Sequence, residues 1–347
     1  MDCEYFNPGI KTMNNKIRWG ILSTAKIGMQ KVIPAMQQGK HCEIVAIASR
    51  DIENARNAAA QLGIGRFYGS YEELLADGDI DAIYNPLPNH LHVPWSIKCL
   101  LAGKHVLCEK PLGINAQEIR ELITARDKTG LKVGEAFMIR SHPQWRKTLK
   151  LIKSGDIGDV KAIQGGFYYR NLDPGNIRNK ADFSGGAMMD IGCYPLLAAR
   201  MVFDREPERV IALMDFDPVF KTDRLTSVVL QFADSHATFT VSTQNTPHQF
   251  IEILGDKKRI SIEIPFNAPP DKPTRIQVYA PNLPGQEATE YRFEICNQYT
   301  LQGDDFARAI LDNTDVSMPL EDSLKNAAVI DAIFKSAKSG GWEKPEK

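Results

Sequence analysis

Between residues 16 and 138, short apolar runs alternate with stretches of helical periodicity. Residues 17–22 read as a strand, followed by the small-residue turn Ser23-Thr24-Ala25 and a helix to residue 38 that Gly39 ends. Residues 43–48 form the next strand, and Asp51 is placed to cap the alanine-rich helix after it. A minor strand at 67–68 leads into Ser70-Tyr71-Glu72-Glu73, which has capping-box spacing. Strand 80–85, helix 91–101, strand 104–107, helix 116–129 and strand 132–137 complete the run. Strands separated by helical patterns of about 10–15 residues predict βαβ units and a parallel sheet. The run 104–107 stops abruptly at Cys108-Glu109-Lys110-Pro111, and in a doubly wound sheet that end of a strand is where ligands bind.

Beyond residue 145 the pattern changes. A helix at 144–153 ends at Ser154-Gly155, and strand-like runs then dominate at 160–169, 210–216, 226–232, 236–243, 250–254, 259–264 and 275–280. Alternation in His236-Ala237-Thr238-Phe239-Thr240-Val241 predicts an antiparallel sheet with one covered face. Helices are expected at 299–310 and 320–339, closed by Gly340-Gly341. The fold class is therefore α/β: an arm at 1–15, a Rossmann domain at 16–138, and an α+β domain at 139–347 built on a large open, mostly antiparallel sheet. The uncovered sheet face is a natural subunit interface, and the C-terminal helices are free to pack back on the first domain.

Composition narrows the function classes. With 42 Lys+Arg against 43 Asp+Glu the net charge is −1, which gives no pull toward nucleic acid or membrane surfaces. The six cysteines show no CxxC spacing, which predicts reduced thiols and a cytoplasmic home. Residues 1–15 are polar, without a secretory apolar core, and no apolar run reaches the roughly 18 residues of a membrane helix.

The candidate chemistry lies at strand ends. In Gly20-Ile21-Leu22-Ser23-Thr24-Ala25-Lys26-Ile27-Gly28 the dinucleotide fingerprint GxGxxG is degenerate, with Ser23 and Ala25 in the first two glycine slots. Small residues still let the backbone approach a pyrophosphate at a helix N-terminus, although on these residues alone a plain strand–helix turn fits equally well. The second strand ends in Ser49-Arg50 rather than an acid. A guanidinium suits a ribose 2′-phosphate, which favours NADP over NAD; Arg50 as a solvated side chain, with Asp51 serving the ribose, is the other reading. Leu87, Pro88 and Asn89 follow the fourth strand, with Asn89 placed to cap the next helix. His90 and His92 are two apart and do not share a helix face, so no metal is expected. Tyr71 and His92 join Glu109 and Lys110 in the expected cofactor shell.

Lys110 reads either as a surface lysine at a tight turn open to a cis proline, or as a general acid/base whose pKa is lowered by burial and a nicotinamide cation, with Glu109 orienting it. Far downstream, Gly185-Gly186 precede Asp190 and Tyr194, which at i and i+4 would share a helix face. The plain reading is a capping glycine pair beside a buried tyrosine. The sharper one is a phenol that exchanges a proton with a substrate hydroxyl, held by Asp190 and made more acidic by Lys110.

GILSTA at 20–25, Pro88-Asn89, Glu109-Lys110-Pro111 and the patch from Gly185 through Asp190 to Tyr194 together resemble the glucose–fructose oxidoreductase/inositol dehydrogenase (Gfo/Idh/MocA) family. The likeness runs from residue 17 to 340 and includes Leu301-Gln302-Gly303-Asp304-Asp305; Ser23 departs from the usual glycine. It implies a Rossmann domain, a second domain whose sheet forms homodimers or homotetramers, and hydride transfer between a nicotinamide and a sugar, polyol or dihydrodiol carbon. Tyrosine rather than histidine at 194 resembles the dihydrodiol and D-xylose dehydrogenase branch. The resemblance implies Tyr194 as proton donor and acceptor, Lys110 supporting it and Asp190 orienting, with Arg140, Tyr168 and Arg178 as substrate contacts. A non-catalytic NADP-sensing regulator and an NAD-dependent glycosidase are the alternatives it admits.

Overall fold

The computed structural model describes residues 16–281 and 288–346; the expected N-terminal arm at 1–15 lies outside the described residues. Strands β1 (Ile17–Leu22), β2 (Cys42–Ala48), β3 (Arg66–Tyr68), β4 (Ala82–Asn85), β5 (His105–Cys108) and β6 (Val133–Glu135) form one parallel sheet in the order 3-2-1-4-5-6. The order reverses between β1 and β4, which opens a crevice at the strands' carboxyl ends. Helices α1 (Ile33–Met36), α2 (Ile52–Leu62), α3 (Tyr71–Ala76), α4 (His92–Leu101) and α5 (Ala116–Thr129) make the crossovers. Polar caps start three of them: Asp51 accepts from the Glu53 N–H, Ser70 from the Glu73 N–H and Asn115 from the Glu118 N–H. The helix expected directly after the first turn instead opens as a π turn, Gly28–Val32, before α1. Pro34 lacks the N–H that would continue the α ladder to residue 30, and a wider turn absorbs the mismatch.

The second sheet contains β7 (Val160–Arg170), β8 (Arg209–Phe216), β9 (Asp223–Phe232), β10 (Ser235–Ser242), β11 (Gln244–Gly255), β12 (Arg259–Ile262), β13 (Thr274–Tyr279) and β14 (Thr289–Phe293), in the order 14-13-12-11-7-10-9-8. The β7–β10 pair is parallel and the other pairs are antiparallel. Strand β11 starts six residues ahead of its expected position because Pro247 masks its first half, where the register with β7 is irregular. Helices α6 (Pro143–Lys153), α7 (Cys193–Phe203) and α9 (Leu320–Ser339) cover one face. On the other face Leu213 is 76% exposed, and Tyr168 lies parallel to His248 with ring centroids 6.4 Å apart.

Helix α8 (Gln298–Leu311) returns to the first sheet, where Phe306 packs on Trp19 at 5.6 Å between ring centroids. Asp304 accepts from the N–H groups of Lys40 and His41. Helix α9 lies against α5 and β8 together, and its Asp331 accepts from the Ala116 N–H at 2.9 Å. The two C-terminal helices thus clamp both sheets.

Candidate active site

The carboxyl ends of β1, β2, β4 and β5 open onto a cleft of about 1690 Å³ whose far wall comes from β7, the 171–185 segment, α7 and Tyr299. All the residues expected to hold a cofactor border it. At the first turn Ser23 takes φ +68°, a left-handed conformation that glycine adopts without penalty; its hydroxyl accepts from the Ala25 N–H at 3.3 Å. A serine therefore reproduces the glycine geometry and leaves the following turn of small residues, Thr24 and Ala25, open to a phosphate beside Lys26 and Ile27.

At the end of β2 the Asp51 carboxylate is spent on the α2 cap, accepting from Glu53 N–H at 2.9 Å and Asn54 N–H at 3.4 Å. Ser49 accepts from the Asp51 N–H at 3.3 Å, and Arg50 borders the cleft beside Tyr71. Burial pushes the Tyr71 phenol up while Arg50 draws it back. Tyr71 packs edge-on against Trp95 at 4.9 Å, an α4 residue that the sequence reading omits. It follows His92 by three positions, the spacing of one helix face.

The loop after β4 differs from expectation at two residues. Asn89 does not cap α4; its Nδ2 donates across the cleft to the Ser184 carbonyl at 2.8 Å. The buried His92 ring lies between two carbonyls, with Nδ1 2.8 Å from Pro111 O and Nε2 2.6 Å from Leu87 O. Burial pushes its pKa down to about 4, so the ring is neutral and its single N–H serves one carbonyl at a time. The imidazole bridges the loops after β4 and β5 at the cleft. His90 packs against Phe183 at the cleft edge, ring centroids 4.6 Å apart and planes tilted by 31°, and among the described residues no three metal-ligating side chains converge.

The centre of the site is Asp190. Lys110 Nζ donates to its carbonyl at 2.6 Å and to Oδ1 at 3.2 Å, while Oδ2 accepts from the Tyr169 hydroxyl at 2.6 Å and pairs with Arg178 Nε at 2.8 Å. Burial alone would raise this carboxyl, but Arg178, Lys110 and Tyr169 outweigh it and hold it well below the usual carboxylate range. Burial likewise pulls Lys110 down, yet Asp190 leaves it above its ordinary value, the opposite of the expected lowering. Glu109 does not orient it; its Oε1 accepts from the Tyr84 hydroxyl at 2.7 Å. The Lys110–Pro111 peptide is cis.

Tyr194 also departs from expectation. Residues Met188–Gly192 form a π turn rather than an α turn, and Pro195 withholds the N–H that would bond Ile191. Asp190 and Tyr194 are therefore not joined by one regular α turn, although both border the cleft on either side of Lys110 Nζ. The phenol lies among Phe137, Phe167 and Phe266, with its hydroxyl 3.4 Å from Met138 Sδ. Lys110 Nζ sits 5.0 Å from the ring centre, so the ammonium faces the π cloud. Burial holds the phenol well above its ordinary pKa, which reverses the predicted acidification. The π turn is fixed from below by Asp223, which accepts from the Met188 N–H at 2.7 Å. Gly186, at φ +112°, passes so close that a Cβ would lie 2.0 Å from the Asp223 carboxylate.

Of the expected substrate contacts, Arg178 borders the cleft. Arg140 does not: its Nη1 is turned behind the site onto Asp322 of α9 at 2.9 Å. Tyr168 points to the open sheet face, and its neighbour Tyr169 reaches the site instead. The strand's own alternation carried this signal, since Ile163 and Phe167 are buried and share a parity with Tyr169, not Tyr168.

The comparisons agree with this architecture. Residues 17–137 match the oxidoreductase family with an NAD-binding Rossmann fold, and residues 145–261 match the GFO/IDH/MocA C-terminal domain. An uncharacterized oxidoreductase of Rhizobium meliloti is 50% identical over 94% of this chain and 98% of that protein. A D-xylose 1-dehydrogenase (NADP(+)) of Haloferax volcanii is 38% identical over 93% and 98%. A 3-ketoreductase from Actinomadura kijaniata, solved with NADP and TDP-benzene, superposes with a TM-score of 0.86 at 29% identity, covering 93% of this chain and 98% of that one. The parallel sheet with its strand-end cleft, both domain matches and these near full-length relatives lead to one conclusion: the chain belongs to the Gfo/Idh/MocA family of NAD(P)-dependent oxidoreductases.

Proposed function

We propose that this enzyme is an NADP-dependent dehydrogenase or reductase acting on a carbinol or carbonyl carbon of a sugar, polyol or dihydrodiol, with Tyr194 and Lys110 handling the proton. NADP, when bound, supplies the nicotinamide C4 that exchanges a hydride with that carbon. The carrying observation is the Lys110 ammonium fixed on Asp190, 5.0 Å from the Tyr194 ring centre, at the carboxyl end of β5. Both groups keep their protons at neutral pH, so the site is set to donate to a developing alkoxide; taking a proton from a carbinol is favoured as pH rises. The amides of Asn171 and Asn176 border the same cleft and suit substrate hydroxyls. The named relatives, a D-xylose dehydrogenase and a sugar 3-ketoreductase, support the substrate class.

Reduced-nicotinamide absorbance across a panel of aldoses, inositols and dihydrodiols tests the reading, with NADP set against NAD. Arg50→Ala is expected to weaken NADP binding by about 10- to 100-fold, the range of a charged hydrogen bond, and to leave NAD nearly unchanged. Equal losses for the two cofactors would remove Arg50 from the 2′-phosphate.

Assembly and location are proposals of the same rank. The open face of the second sheet, with Leu213 and Leu225 exposed, supports a homodimer or homotetramer; Leu213→Glu should shift the sedimentation coefficient toward a smaller species, and an unchanged value would count against it. The free, buried thiols of Cys42, Cys99, Cys108 and Cys193 support a reducing cytoplasmic setting. No helix among the described residues is long and apolar enough to cross a membrane.

A further inference from the structure

We infer that Glu135 is a positioning residue for Lys110, holding the turn after β5 so that the ammonium reaches Asp190 beside Tyr194. The inference rests on the proton-handling reading of Lys110. Glu135 ends β6 in register with Cys108 of β5, and its side chain is buried at 4% exposure. Its Oε1 accepts from the Leu112 N–H at 2.9 Å. Pro111 has no N–H, so Leu112 offers the first amide beyond Lys110 that can anchor this turn. The carbonyl of that same peptide, Pro111 O, lies 2.8 Å from Nδ1 of the His92 ring, whose N–H it shares with the Leu87 carbonyl. Two buried side chains therefore hold the Pro111–Leu112 peptide group, the first after the Lys110–Pro111 bond, one at its carbonyl and one at its N–H.

A carboxyl is a costly choice for a buried anchor, and no cation is reserved for this one. Arg140 and Arg200, which act on it from the 138–141 turn and from α7, are each paired with Asp322 of α9 at 2.9 and 2.6 Å. Cys108 and Cys193 also face it. Burial pushes its pKa up to about 7. Among the described residues neither Oε2 nor the hydroxyl of Ser323 makes a hydrogen bond of ordinary geometry, although Ser323 is close enough to act on the carboxyl. A protonated Oε2 would have that hydroxyl as its acceptor while Oε1 keeps the Leu112 N–H. Glutamine reproduces this neutral arrangement, whereas alanine and leucine remove the acceptor.

The test measures kcat and NADP affinity for Glu135→Gln, Glu135→Ala and Glu135→Leu beside Lys110→Ala, with melting curves for each. Misplacing a reacting group by about 1 Å costs up to about 100-fold, so Glu135→Ala and Glu135→Leu are expected to lose about 10- to 100-fold in kcat. Their NADP Kd should stay nearly unchanged, and Glu135→Gln should recover most of the wild-type kcat. Leucine keeps the volume filled if alanine prevents folding. Full kcat in the alanine and leucine variants, or equal losses in the glutamine variant, would overturn the positioning role while Lys110→Ala remains inactive. Full kcat in Lys110→Ala would instead overturn the proton-handling reading, and this inference with it.

Discussion

Replacing Lys110 with methionine is expected to lower kcat by about 100- to 10,000-fold, the usual contribution of a positioned acid/base group, with NADP affinity largely kept. Methionine retains the length of the aliphatic stem, so packing at the end of β5 is preserved while the ammonium is lost. The fold should survive, because Asp190 keeps Arg178 at 2.8 Å and the Tyr169 hydroxyl at 2.6 Å as partners. Tyr194→Phe removes only a hydroxyl whose partner in the structure is the Met138 sulfur, and should lose activity without loss of stability. Stopped-flow transients of NADPH formation separate the chemical step from binding in both variants. Lys110→Met retaining more than about a tenth of wild-type kcat would put the proton transfer elsewhere.

Asp190→Asn is expected to have the largest effect on stability. It removes the one carboxylate shared by Lys110 and Arg178, and breaking a buried pair from one side costs about 3–5 kcal/mol. The pH dependence carries the sharper signature. In the wild type the folded pKa of Lys110 is raised by Asp190; that contribution is complete below its unfolded pKa of about 10.4 and is lost as pH rises through the folded value. Asp190 itself is depressed by Arg178 and Lys110 against the pull of burial. Its contribution is present above about pH 3.9 and disappears as pH falls through the folded value. Without Asp190, burial governs Lys110 and lowers its pKa, so the unfolded chain binds more protons than the folded one and stability climbs with pH toward 10. Thermal melts from pH 6 to 10 should therefore be nearly flat in this respect for the wild type and rising for Asp190→Asn. A variant that melts like the wild type at every pH would show that the cluster contributes little to stability.

Most of the fold was legible because it is written locally. The strand runs, the caps at Asp51 and Ser70 and the stop at Lys110-Pro111 each depend on neighbours within a few residues. The errors fall where a distant residue or a single step of register decides. Tyr168 and Tyr169 are adjacent in sequence, yet they lie on opposite faces of β7, and the choice between them is one of parity. Arg140 is drawn away by Asp322, 182 positions downstream, which no local pattern announces. Asp190 and Tyr194 have α-helical spacing, but the segment between Gly186 and Pro195 widens into a π turn held by Asp223. The predicted acidity of Tyr194 failed for a related reason: burial among aromatic rings is a property of the assembled wall.

The clamp formed by α8 and α9 has a consequence for biosynthesis. Trp19 lies on β1, but the ring that packs on it is Phe306 of α8, and the Ala116 amide waits for Asp331 of α9. The nucleotide-binding sheet thus emerges ahead of α8 and α9 and stays unfinished until those two helices are made. Domains commonly fold in order as they are synthesised; here the parallel sheet remains open to chaperones, and to aggregation through its uncovered apolar face, until α8 and α9 have been made.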